Sequence, residues 1–214
     1  MPPAGLPRDR ESSAPESTGA SAPGAVLPPF VLVTGNPDKA AEAERILGRP
    51  VPTVAVDLPE IQSLDLLAVL RAKGEEAWRR LGRALVVEET GLGLEALGGF
   101  PGPLVRWMLE AAGPEGIART AIALGDPAAR ARCALLYRDA AGAVIAEGSD
   151  RGDLVLPARG DFGFGFDVVF QPAGAAGTYA ELGAGYKDRH GHRGKAWRAL
   201  AAALARERPG AGGG

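Results

Sequence analysis

Four apolar residues, Phe30-Val31-Leu32-Val33, run directly into Thr34-Gly35-Asn36-Pro37-Asp38-Lys39, after which a helical pattern begins. A short buried strand that turns sharply into a helix commits its surroundings to an α/β arrangement. The strand needs cover on its faces, and the helix packs back to give it. Such a turn presents backbone N–H groups at the helix start, where the dipole also favours anions. Thr34 and Asn36 add side-chain hydrogen bonds, and Lys39 adds a cation one turn in. Gly35 lets a ligand approach the backbone closely. The same residues also make an ordinary Asn-capped helix, so the turn alone does not name a ligand.

Alternation continues downstream. Asp38–Leu47 reads as a helix, Val51–Val56 as a strand, and Leu66–Leu81 as a helix with apolar residues at 66, 67, 70, 77, 78 and 81. Ala84–Val87 reads as a buried strand. Leu104–Ala112 and Glu115–Leu124 read as two helices divided by Gly113-Pro114. Arg130–Asp139 and Ala143–Asp150 form an antiparallel pair around Ala140-Ala141-Gly142. Phe166–Phe170 reads as a further strand, and a last helix runs from about Arg193 to Glu207. The expected fold is α/β with a mixed sheet. Residues 1–29 hold seven of the 18 prolines and no periodicity, which predicts a disordered leader. Pro209–Gly214 reads as a flexible tail, so the expected folded domain is 30–208.

Two further clusters carry chemistry. Glu60 follows one strand, and Glu88-Glu89-Thr90 follow Ala84–Val87. Carboxylates at the C-terminal ends of strands in an open sheet suit Mg²⁺ shared with substrate phosphates. They also suit plain exposed loop acids. Phe164-Gly165-Phe166-Asp167, with Lys187 and His192-Arg193, offers rings to stack on a flat heterocycle and charged groups to read its edge. The alternative is a bent strand with its phenylalanines in the core and a surface His-Arg pair. His190 reads as a bystander, and Trp78, Trp107 and Trp197 as core or interface packing.

The bulk properties narrow the field. A net charge of −2 over 214 residues provides no polyanion-binding surface, so no nucleic-acid partner is expected. The single cysteine, Cys133, excludes an internal disulfide and a thiolate metal cage, and reads as a buried strand thiol. No apolar run reaches the roughly 18 residues of a membrane span, and the first 29 residues lack a signal-peptide core. A cytoplasmic protein without membrane contact is expected.

From Phe30 to about Leu204 the chain resembles the inosine triphosphate pyrophosphatase family, hydrolases of abnormal purine nucleoside triphosphates. The resemblance rests on Thr-Gly-Asn-x-x-Lys at 34–39, Leu-Pro-Glu-Ile-Gln at 58–62 and Leu-Gly-Gly-Phe-Pro-Gly-Pro at 97–103. Phe-Gly-Phe-Asp at 164–167, Thr-Tyr-Ala-Glu at 178–181 and His-Arg-Gly-Lys-Ala at 192–196 complete it, all in this order. It implies two lobes around a long mixed sheet, a site in the cleft between them, and a homodimer. Thr34 to Lys39 then fall on the triphosphate cradle. Glu60 and Glu89 fall on Mg²⁺ ligands, with Glu89 also the catalytic carboxylate, assisted by Lys39. Lys73, Thr90 and Arg106 fall on substrate contacts. Phe164, Gly165, Phe166, Asp167, Lys187, His192 and Arg193 fall on base-binding positions.

Three positions depart from the pattern. Glu88-Glu89-Thr90 replaces Glu-Asp-Thr, which moves the second carboxylate outward by one methylene. Gly191 replaces a serine, and Val168 replaces a proline. Rival readings are a pyrophosphatase retuned to another modified nucleotide, a related septum-inhibitor type of nucleotide pyrophosphatase, against which His192-Arg193 speaks, and a non-catalytic nucleotide-binding module.

Overall fold

The Phe30–Val33 run becomes β1 (Val31–Val33), buried at all three residues. Asn36 caps α1 (Pro37–Leu47), its side chain accepting from the amides of Asp38 and Lys39, with proline in the first turn. The computed structural model describes residues 27–207. The expected tail and nearly all of the leader lie outside them. Leu27 does not, and it is buried in one core with Phe30 and Leu32. After α1 come β2 (Thr53–Val54), α2 (Leu66–Leu81), β3 (Leu85–Leu94), β4 (Pro101–Gly102) and α3 (Val105–Ala123). β5 (Ala128–Asp139), β6 (Gly142–Leu154), β7 (Phe170–Pro172), α4 (Tyr179–His190) and α5 (His192–Glu207) complete the order.

These strands form one seven-stranded sheet in the order β2-β1-β3-β5-β6-β7, with β4 on β3. β1 runs parallel to β2 and β3, and every other pairing is antiparallel, so the sheet is mixed as expected. β3, β5 and β6 have 10, 12 and 13 residues. At ~3.3 Å per residue they span roughly 33–43 Å. They therefore cross both lobes of an elongated sheet. At one end, strand alternation sends Val31, Val33, Leu85 and Val87 toward Leu66 and Leu70 of α2. Leu32, Val86 and Leu135 point the other way, onto Trp197 and Leu200 of α5. At the other end Leu92 and Leu94 pack with Ile117 of α3 and with Phe170 and Tyr179.

Several boundaries differ from expectation. β3 does not stop at Val87 but continues to Leu94, so Glu88, Glu89 and Thr90 lie within a strand. Its partner β5 continues alongside and keeps the ladder paired. The strand expected at Phe166–Phe170 begins only at Phe170. Gly163 and Gly165 adopt φ of 88° and 65°, and the Val169 and Phe170 amides donate to the Phe166 carbonyl, so the segment turns instead of extending. The expected elements do not include α4, which is opened by a reciprocal Thr178–Glu181 capping box. The break at Gly113-Pro114 is present, with Gly113 at φ 68° and ψ 173° inside α3. Trp197 is buried against Phe30, whereas Trp107 is half exposed.

Gly148 of β6 sits where α5 crosses the sheet. A Cβ there would collide with the carbonyl of His192 and approach the Ala196 amide and the Lys195 Cβ. Backbone cannot swing aside as a side-chain tip can. Gly148→Ala is expected to destabilise the fold by ~1–3 kcal/mol, read as a lower denaturation midpoint. An unchanged midpoint would show that α5 can lift off the sheet freely.

Candidate active site

The site follows from one mismatch in strand length. β1 pairs with β3 only as far as Val33↔Val87, and β4 joins β3 only from Leu92. From Glu88 to Gly91 the strand has β5 on one side and, among the described residues, no strand on the other. The chain leaving β1 turns through Thr34–Asn36 beside this gap. A cleft of about 940 Å³ opens there. It is the kind of crevice, at the carboxyl end of a strand, where open α/β sheets bind ligands.

The Thr34–Lys39 turn is internally bonded. Thr34 Oγ1 accepts the Asn36 amide at 3.1 Å, and Asn36 Oδ1 accepts those of Asp38 and Lys39 at 2.9 and 3.1 Å. Pro37 has no N–H. The Gly35 amide is left in the turn without a partner among the described residues. No atom lies within 4 Å of a Cβ built at Gly35, so a ligand has room there.

Strand alternation sends the two adjacent acids to opposite faces. Glu89 meets Lys73 of α2, with Nζ 2.7 Å from Glu89 Oε2 and 2.7 Å from Glu60 Oε1. Burial works against the Lys73 charge, but the two carboxylates outweigh it and raise its pKa. For Glu60, burial works the opposite way, and the Lys73 bond and charge win, holding its carboxyl below the ordinary range.

Glu88 faces α1 and α5. Its oxygens accept from Arg193 Nε at 3.1 and 3.0 Å, from Arg193 Nη2 at 3.0 Å and from Thr90 Oγ1 at 3.0 Å. Lys39 Nζ lies 3.3 Å away. Burial alone would raise its pKa, yet Arg193 and Lys39 hold it well below the carboxylate range. Arg193 also donates to Glu42, and Lys187 Nζ reaches Glu42 at 3.2 Å and Asp167 at 2.7 Å. Five of these side chains (Glu42, Glu88, Asp167, Lys187 and Arg193) are buried. A buried carboxylate keeps its charge only with partners of this kind.

Above this layer lies the Phe164 ring. Lys187 Nζ is 4.7 Å and Arg193 Cζ 5.4 Å from its centroid. The Phe164 amide donates to Asp167 Oδ2 at 2.8 Å, which fixes the turn. Phe166 is buried and lies 5.9 Å from the His192 ring. Neither ring nitrogen of His192 has a partner among the described residues. Burial first, then the Arg193 and Lys187 charges, push its pKa well below the ordinary value, so the ring is neutral.

Every residue named from the sequence as a site residue lines this one cleft: Thr34 to Lys39, Glu60, Lys73, Glu89, Thr90, Arg106, Phe164 to Asp167, Lys187, His192 and Arg193. Their placement within it differs. The donors of Arg193 go to Glu88, Glu42 and Thr90, beneath Phe164. Arg106 is exposed at the rim and bonds Glu110. The sequence does not single out Glu42. Its only signal in the sequence is a lone acid one turn after Lys39 on the same helix face.

A sequence model of the Ham1 family matches residues 30–203. The chain belongs to the Ham1 family. Two relatives are similar over most of their length. The dITP/XTP pyrophosphatase of Pyrobaculum aerophilum is 36% identical over 176 residues, covering 81% of this chain and 94% of the relative. The inosine triphosphate pyrophosphatase of Puccinia graminis is 35% identical over 178 residues, covering 78% and 92%. A crystal structure of a nucleoside-triphosphatase, dITP/XTP pyrophosphatase, from Mycobacterium abscessus superposes with a TM-score of 0.60 at 30% identity, covering 80% of this chain and 97% of that one. A Cβ built at Gly191 would lie 2.6 Å from the Lys187 carbonyl oxygen, so any side chain there needs the α4–α5 junction to shift.

Proposed function

We propose that this Ham1-family chain is a pyrophosphohydrolase that converts deaminated purine nucleoside triphosphates (ITP, dITP, XTP) to the monophosphate and pyrophosphate, and so clears them from the nucleotide pool. The observation that carries the reading is the meeting of three groups in one cleft. An acid pair converges on a single cation, a capped turn with Lys39 stands beside it, and the Phe164 ring lies across the gap on a buried cationic floor. Relatives named for dITP, XTP and inosine triphosphate hydrolysis support the substrate class.

The residues fit a hard divalent ion such as Mg²⁺. Glu60 Oε1 and Glu89 Oε2 both lie 2.7 Å from the same Lys73 nitrogen, so their oxygens already point at one positive centre. Among the described residues no set of three His, Cys, Asp or Glu side chains forms a closed cage. Two carboxylates with open positions match an ion completed by phosphate oxygens and water. When bound, such an ion supplies neutralisation of phosphate charge. Glu89 accepts a proton from the water that attacks the α-phosphorus. Lys39 and Lys73 neutralise the departing pyrophosphate, and Phe164 stacks on the base.

Base preference follows from edge chemistry. A 6-keto group accepts hydrogen bonds, whereas the 6-amino group of adenine donates. Lys187 uses two N–H groups on Glu42 and Asp167 and keeps a third for an acceptor. A donor-lined pocket leaves adenine unpaired and discriminates strongly. The chain is read as a cytoplasmic homodimer that binds no nucleic acid. No helix among the described residues is long and apolar enough to cross a membrane.

A pyrophosphate-release panel with Mg²⁺ over ITP, dITP, XTP, ATP and GTP tests the reading. The expected result is a kcat/KM for ITP and XTP at least ~100-fold above that for ATP. Equal rates on all five would overturn the base preference. Binding of ITP without turnover would favour a nucleotide-binding module. Chelation should abolish release, and activity that survives it would remove the metal.

A further inference from the structure

Lys73 stands in an unusual place for a group meant to meet phosphate. Its ammonium bridges Glu60 and Glu89 at 2.7 Å on each side. Its side chain is 12% exposed and projects from the regular helix α2. Among the described residues neither carboxylate has another ion-pair partner. Glu89 is fixed in β3, whereas Glu60 lies in the irregular stretch between β2 and α2 with its side chain 44% exposed. Among the described residues the one ion pair of Glu60 is therefore with Lys73.

We propose that Lys73 is a positioning residue whose ammonium holds the metal's place in the nucleotide-free protein, so that metal and triphosphate bind cooperatively. The inference rests on the pyrophosphatase reading above. With Lys73 in place the acid pair carries one net negative charge; with a divalent ion in place of the ammonium it carries none. Both cations together would face each other across the same two carboxylates and repel. The ammonium therefore has to move for the ion to enter, and it needs a new anion when it does. The triphosphate supplies one. By linkage, the nucleotide strengthens metal binding by the same factor as the metal strengthens nucleotide binding. The protein then holds little free metal and engages it when a nucleotide arrives.

The test titrates Mn²⁺ into the nucleotide-free full-length protein and follows it by electron paramagnetic resonance. Lys73→Met keeps the length and apolar stem and removes the charge. It should bind Mn²⁺ about tenfold more tightly than wild type, within the usual range of coupling between sites. Lys73→Arg, which keeps the cation, should show no gain. Glu60→Gln in the Lys73→Met background should erase the gain. An α,β-methylene analogue of ITP, corrected for its own Mn²⁺ affinity, should tighten Mn²⁺ binding in wild type and much less in Lys73→Met. Lys73→Gln repeats the measurement if the methionine variant does not fold. Equal or weaker Mn²⁺ binding in the charge-removed variant overturns the proposal, as does a gain that survives Glu60→Gln. A gain in a protein whose wild type releases no pyrophosphate would sink the function and keep the exchange. Turnover with no gain would do the reverse.

Discussion

Glu89→Gln is expected to lower kcat for ITP by roughly a hundredfold or more while leaving the protein folded. The change keeps size and removes the charge that faces Lys73 and Glu60. It does not touch the buried layer on the other face of β3. Glu88→Gln is the matched control, and its signature differs. Its carboxylate is clamped by Arg193, Thr90 and Lys39. Removing that charge leaves Arg193 with Glu42 as its one carboxylate partner, so the denaturation midpoint should fall along with activity. Glu89→Asp installs the residue that the resemblance implies at this position but pulls the carboxylate back by one methylene from a 2.7 Å contact with Lys73. If the neighbours are built around the longer side chain, kcat falls, because a displacement of about 1 Å can cost on the order of a hundredfold. Near-normal turnover in Glu89→Gln with a folded but inactive Glu88→Gln would move the catalytic role by one residue.

Arg193→Ala carries the largest expected loss of stability. The guanidinium is 1% exposed and serves Glu88 and Glu42, themselves 4% and 1% exposed. Truncation leaves two buried carboxylates with Lys187 and the partly exposed Lys39 as their remaining cations. Breaking a buried pair in this way costs about 3–5 kcal/mol, which lowers Tm by roughly 10 °C or more for a domain of this size. Glu88, which Arg193 now helps hold well below the carboxylate range against its burial, would lose that hold and take up a proton more readily, so the loss should shrink as pH falls. A Tm within 2–3 °C of wild type, about 1 kcal/mol, would show that the buried layer relaxes or hydrates without Arg193.

The sequence showed the architecture best where periodicity and caps agreed. The helix expected over Leu66–Leu81 from its apolar spacing is found over the same residues, capped by Asp65 and ended by Gly82 at φ 58°. The paired strands β5 and β6 were visible from their alternation and the turn between them. The end of β3 was not legible. Glu88 and Glu89 look like the polar stop of a strand, and only the continued pairing with β5 keeps them inside one. Gly163 and Gly165 made the opposite error, since the aromatic residues around them suggest a strand that positive φ forbids. α4 carried its Thr178–Glu181 capping box in plain view, yet the glycines at 183 and 185 mask its helical pattern.

The residues that line the cleft could be named from the sequence, but their partners could not. Ion pairs such as Arg193–Glu88 join residues 105 positions apart, and no local pattern reports them. With β3 continuing to Leu94, two neighbours on the strand cannot share a face, so Glu88 and Glu89 meet different partners. The identity of Glu42 as the link between Lys187 and Arg193 needed the packing of α1 against α4 and α5.

The central claim is that water attacks the α-phosphorus of a deaminated purine triphosphate. Turnover of ITP with Mg²⁺ in ¹⁸O-labelled water, read by mass spectrometry of both products, tests it directly. The expected products are inosine monophosphate carrying one ¹⁸O and unlabelled pyrophosphate. Label in pyrophosphate would mean attack at the β-phosphorus. Inosine diphosphate with labelled orthophosphate would mean attack at the γ-phosphorus, and either result would contradict the account.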